Sequence, residues 1–151
     1  MNKIQAGKLN DPKVKVKLFS TIERGSLKSV VAIVVHQTGA ATAESTFQSY
    51  KNVANGAHFL IDKDGTIYQT ARVTQRTFHV GKIRSRCLET HQCPAPEPKA
   101  AKTVLYTPKK SYSTRTNLLS EFEKPKAYSQ RYPTNDDSLG IEVVGGTKAG
   151  A

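Results

Sequence analysis

"VVAIVVHQTGA", Val30 to Ala40, is the stretch on which the fold turns. Five of the six residues before His36 are valine or isoleucine, and such a run predicts a strand. Its continuity predicts burial on both faces, near the centre of a sheet. A histidine, an amide and a hydroxyl follow, and Gly39 breaks the run. The strand therefore delivers the imidazole of His36 to its end. That side chain both binds metals and moves protons near neutral pH, although a single histidine so placed is more often a hydrogen-bonded structural residue.

On either side the patterning stays regular. "KVKVKLF" alternates, as a half-exposed strand does. "TAESTFQSYKNVA" places Phe47, Tyr50, Val53 and Ala54 near helical spacing, with Thr42 as the candidate N-cap and Asn55-Gly56 as the stop. "AHFLIDKDGTIYQTA" reads as a hairpin whose turn ends in Asp64-Gly65. "SLGIEVVGG" is a short apolar strand halted by glycines. Between the hairpin and that strand, from about 81 to 135, lies a segment rich in Pro, Lys and Tyr. It reads as a long ordered loop with one short helix at "TNLLSEFEK", too long for a compact domain to carry without a purpose.

The 151 residues carry 23 Lys and Arg against 12 Asp and Glu, a formal charge of +11. Such a surface attracts polyanions. No recognition motif of a DNA- or RNA-binding module accompanies it, so nucleic acid is not an expected partner. Lys109, Lys110 and Arg115 lie in the basic 81–135 segment, where a surface that draws a polyanion or a partner and a merely decorated surface loop are both compatible with the pattern. No apolar run approaches the ~20 residues of a membrane span, so membrane insertion is not expected. The start lacks the apolar core of a secretory signal peptide. Cys87 and Cys93 stand six positions apart with His91 between them. Disulfide, free thiols and a Cys/Cys/His metal cluster are all compatible with that spacing, the disulfide most readily.

Four polar residues sit where apolar ones would cost less: His36, His58, His79 and Glu142. Glu142 is the most informative. An ionised carboxylate among strand hydrophobics must be paired, lie near a metal, or be protonated.

Taken in order, "IVVHQTG", a helix, "GAHFLIDKDGTIYQ", "FHVG" and "NDDSLGIEVVGG" resemble the N-acetylmuramoyl-L-alanine amidase family, which includes AmpD-type amidases, phage lysozyme-amidases and peptidoglycan recognition proteins. The resemblance spans about Val30 to Ser45, Gly56 to Lys82 and Asn135 to Gly146. It implies an α/β fold with a mixed central sheet flanked by helices. It also implies a zinc ion that cuts the amide between muramic acid and the first L-alanine of the stem peptide. On this resemblance His36 is a zinc ligand, Glu142 the catalytic carboxylate, and His58, His79 and Thr38 cleft or supporting residues. The phage and recognition-protein branches place a catalytic tyrosine before the "HF" pair. Here that residue is Ala57, which favours Glu142 as the proton-handling group.

The resemblance also breaks. The family's second and third zinc ligands are expected beyond Ala151, after a helix that follows the "GIE" strand. The favoured reading is the N-terminal portion, 1–151, of one amidase domain with a basic insertion at about 81–135; a truncated, metal-free chain, or His79 or His91 standing in for the missing ligands, are the competing readings. A complementary C-terminal polypeptide segment is the expected partner. It should cover an open apolar sheet face beside Ile33 and Val143 and aim its histidine at His36. The expected setting is an antibacterial effector, such as a type VI secretion effector, acting in the periplasm of a target bacterium and answered by an immunity protein. The rival expectation is an amidase-like module that binds peptidoglycan or a partner without cutting.

Overall fold

The computed structural model describes residues 3–52 and 55–146, so Val53 and Ala54, assigned above to the first helix, lie outside the described residues. The chain divides into two compact units. The first joins the described residues up to His79 with those from Asn135 onward; the second is Val80–Thr134.

The first unit is a mixed α/β sheet. A two-stranded ribbon, β1 (Ile4–Gln5) and β2 (Lys8–Leu9), precedes it. The main sheet contains β3 (Val14–Val16), β4 (Ala32–Gln37), β5 (Phe59–Ile61), β6 (Ile67–Gln69) and β7 (Ser138–Val143) in the order β3-β6-β5-β7-β4. Within this sheet, among the described residues, only the β5–β6 pair is antiparallel. The turn between them closes with Gly65 at φ +84°, a conformation that glycine adopts without steric cost. Asp64 accepts the amide of Thr66 at 2.8 Å and holds the same turn.

Helix α1 (Ala43–Asn52) covers one face. The hydroxyl of Thr42 accepts the amide of Ser45 at 3.2 Å, as the N-cap reading required. Ala43, Thr46, Phe47 and Tyr50 are the buried stripe of this helix. Phe47 stacks on Phe19 at 5.5 Å and meets Tyr68 edge-on at 5.0 Å. Ile22, Leu60, Ala71 and Val144 complete this core.

The strand that opened the reading is placed otherwise than its composition predicts. β7 is interior, but β4 is an edge strand. Its side chains alternate between half-buried and exposed, with Ile33 61% and Val35 63% exposed. The apolar run thus reflects β-branched residues in an edge strand with one open face, not burial on both faces. Strand alternation also corrects the expected docking geometry: Ile33 and Val35 project opposite to His36.

The second unit is helical where a loop was expected. It contains α2 (Arg86–Thr90), α3 (Glu97–Leu105) and α4 (Tyr112–Glu123), and the "TNLLSEFEK" helix is the later part of α4. Ser111 caps α4 by accepting the amide of Thr114 at 3.1 Å. Cys87 and Cys93 form a disulfide, which removes them from any metal cluster with His91. His91 instead ends α2 in the left-handed region, at φ 56°. Lys126 bridges Glu97 and the fully buried Glu123, joining α3 to the end of α4. These tertiary ties compensate for weak local signals, since α3 is short and begins among prolines.

Candidate active site

β4 and β7 run parallel with His36 opposite Glu142, Val34 opposite Gly140 and Ala32 opposite Ser138. Directly opposed residues share a sheet face. On the other side of β7, Leu60 of β5 is the register partner of Glu142 and belongs to the core under α1. The carboxylate therefore emerges between an imidazole and a fully buried leucine. Removal from water raises its pKa, and the nearby His36 only partly opposes that rise. No salt bridge to Glu142 forms among the described residues, so the lysine pairing that its burial invites is not used.

Nε2 of His36 and Oε2 of Glu142 are both buried without a hydrogen-bond partner. Buried polar groups are ordinarily satisfied, and two orphans at register-paired positions call for an explanation. Ordered water or a bound group at this position would satisfy such atoms.

His79 and His58 extend the row. The rings of His36 and His79 are 6.1 Å apart, and those of His79 and His58 5.6 Å apart. Neither of the latter two offers a free nitrogen. Nδ1 of His58 accepts the amide of Gly140 at 3.0 Å, which leaves the proton on Nε2 to be donated to the carbonyl of Gln75 at 2.8 Å. Its pKa is lowered, chiefly by burial. His79 lies between the hydroxyls of Thr77 and Ser138, each 3.0 Å from a ring nitrogen. Burial first, then the two neighbouring histidines, bring its pKa down to about 4. Asn135 fixes its backbone by accepting the His79 amide at 2.9 Å.

The row also depends on Gly140. A Cβ there would lie 2.5 Å from Cγ of His79, closer than any real contact. Sequence reasoning did not single out Gly140, Ser138 or Thr77. The available signal was a glycine inside a strand pattern, which marks a close approach. Thr38 serves the adjoining turns: its hydroxyl accepts the amide of Ala40 at 2.9 Å and lies 3.4 Å from that of Gly145. Ala57 is fully buried, and its amide meets the hydroxyl of Tyr50 at 3.3 Å.

Zinc fits this site in part. Nε2 of His36 is unclaimed, and one carboxylate oxygen of its register partner Glu142, Oε2, is unclaimed as well. Among the described residues no three His, Cys, Asp or Glu side chains cluster to hold a metal. Further ligands to an ion at His36 therefore have to come from outside the described residues.

A sheet that presents a metal-competent imidazole beside a desolvated carboxylate has the makings of a hydrolytic centre on an α/β frame. Residues 26–150 match the family model of N-acetylmuramoyl-L-alanine amidases (Amidase_2), and the chain belongs to that family. Membership carries the general activity of a peptidoglycan amidase. Comparison with curated proteins and with solved structures gave no match. No described helix is long and apolar enough to cross a membrane.

Proposed function

We propose that this chain provides the catalytic face of a zinc-dependent amidase that hydrolyses the bond between N-acetylmuramic acid and the L-alanine of the stem peptide. The orphaned pair, Nε2 of His36 and Oε2 of Glu142, carries the reading. His36 would hold the ion, with the remaining ligands supplied by a further polypeptide segment. When bound, zinc supplies Lewis acidity toward the scissile carbonyl and makes water acidic enough to be a nucleophile near pH ~7.

The chain's own residues do the rest. The carboxylate of Glu142 takes a proton from the attacking water as its oxygen bonds to the carbonyl carbon. It returns that proton to the alanine nitrogen as the C–N bond breaks. The raised pKa of Glu142 suits it to hold the proton between these steps. His79, neutral at pH 7, forms a wall of the cleft without competing for the proton. His58 fixes the wall by bonding to Gly140 and Gln75.

An antibacterial role outside the producing cell, in a target's periplasm with an immunity protein as counterpart, is supported by two features. The disulfide suits an oxidising compartment, and the +11 charge suits an anionic wall. The deciding experiment is digestion of purified sacculi by the protein with zinc, joined to the segment that supplies the remaining ligands, followed by mass spectrometry. Release of stem peptides with a free N-terminal alanine is expected; cleavage elsewhere, or none, defeats the reading. A non-catalytic wall-binding module is the second reading, favoured by the lack of a three-ligand cluster among the described residues. It predicts retention on sacculi with no peptide released.

A further inference from the structure

The helical unit Val80–Thr134 holds a cavity of about 710 Å³ that the amidase reading leaves unused. Its size is within the ~300–1,000 Å³ usual for ligand sites. Ile83, Leu88, Leu105 and Leu119 give it an apolar lining, and Lys82 and Arg84 bring positive charge to it. The two cations differ. Arg84 is matched by Glu89, which also lines the cavity, at 2.8 Å, so Lys82 is the cation left to meet an anion there. Lys82 is exposed and bonds only oxygens of Ser113 and Thr116, at 3.1–3.5 Å, with no carboxylate partner among the described residues. The whole unit has 11 Lys and Arg against 4 Asp and Glu, so its field also favours an anion. Tyr112, 71% exposed, adds an aromatic edge.

We propose that this cavity binds an acidic peptide, its apolar side chains on the leucine and isoleucine lining and a carboxylate on Lys82. Identifying that peptide as a wall stem peptide rests on the proposed function. Such a site retains the protein on the wall through stems other than the one being cut.

The test is calorimetric titration with a synthetic stem tripeptide bearing free carboxylates, and with the same peptide amidated. The protein is used as wild type and as Lys82→Glu, Tyr112→Ser and Glu142→Gln. The free acid should bind wild type and Glu142→Gln alike. Amidation or Lys82→Glu should weaken binding by about tenfold, the scale of one charge-assisted hydrogen bond, and Tyr112→Ser by a smaller factor. Both groove substitutions are at exposed positions, so the unit should stay folded, and its circular dichroism verifies this. Equal affinity for acid and amide, no effect of Lys82→Glu, or loss of binding in Glu142→Gln overturns the proposal. Sacculus digestion is scored separately. Peptide binding without hydrolysis removes the amidase reading and leaves this site, whereas hydrolysis without peptide binding does the reverse.

Discussion

His36 and Glu142 are register partners on adjacent parallel strands, and each leaves one buried side-chain atom without a hydrogen bond. The arrangement costs stability, because each unsatisfied buried polar atom forgoes about 1–3 kcal/mol. A ligand between the two would recover it.

Replacing His36 by alanine should abolish wall hydrolysis and sharply weaken zinc binding in the fully liganded enzyme. On the proposed function, the ion would lose one of its protein ligands. Metal content after dialysis and peptide release from sacculi are the two measurements. Stoichiometric zinc together with full activity would take His36 out of the site.

Glu142→Gln should retain zinc yet lose turnover by roughly 10²–10⁴-fold, the usual contribution of a positioned acid–base group. The substitution preserves shape while replacing the ionisable carboxylate by an amide that can neither take up nor return a proton. Loss of metal along with activity would make the glutamate a ligand instead.

Gly140→Ala should destabilise the first unit, since the new methyl would sit 2.5 Å from Cγ of His79. Overpacking of this kind costs roughly 1–3 kcal/mol. Adding His79→Ala should recover part of that loss, a coupling readable from the thermal midpoints of the four proteins in a double-mutant cycle. Additive effects would mean that the glycine is needed for another reason.

Acid should weaken the metal-free protein through its two buried histidines, an effect that Glu142, whose pKa is raised by burial, opposes in part. His79 has a folded pKa of about 4, below its ordinary value near ~6.5. Between those values the unfolded chain binds more protons than the folded one, so stability falls as pH drops through the window and levels off below it. His58, lowered by burial, acts in the same direction. Urea midpoints between about pH 7 and pH 4 test this, and His79→Gln should flatten the slope. A midpoint rising toward acid would contradict the neutral assignment.

Ile33→Lys and Val35→Lys should leave folding nearly unchanged, because both side chains are more than half exposed. They should reduce concentration-dependent association, since an open apolar edge strand is a pairing template and charges on it block pairing. Light scattering across a concentration series is the measurement, and undiminished association would place the sticky surface elsewhere.

Much of this molecule was legible in one dimension. Helix α1, its Thr42 cap, the hairpin closing at Asp64-Gly65 and the strand carrying Glu142 all rest on local rules of spacing, capping and turn chemistry, which a sequence displays directly. The order of the polar segments also pointed to the family, because a constellation spread along a chain is far more specific than any member of it.

Tertiary structure alone decided the rest. Apolar composition could not separate a central strand from an edge strand. Only the pairing partners of β4 do so, and they expose Ile33 and Val35. The loop expected at 81–135 became three helices because a disulfide and the Glu97–Lys126–Glu123 bridge supply what local propensity lacks. Four polar residues that looked alike in sequence took separate fates. His58 and His79 spend both ring nitrogens on neighbours, while His36 and Glu142 each keep an atom unclaimed. Hydrogen-bond partners are long-range facts, made by residues as far apart in sequence as His79 and Ser138, and no local pattern encodes which donor and acceptor folding brings together.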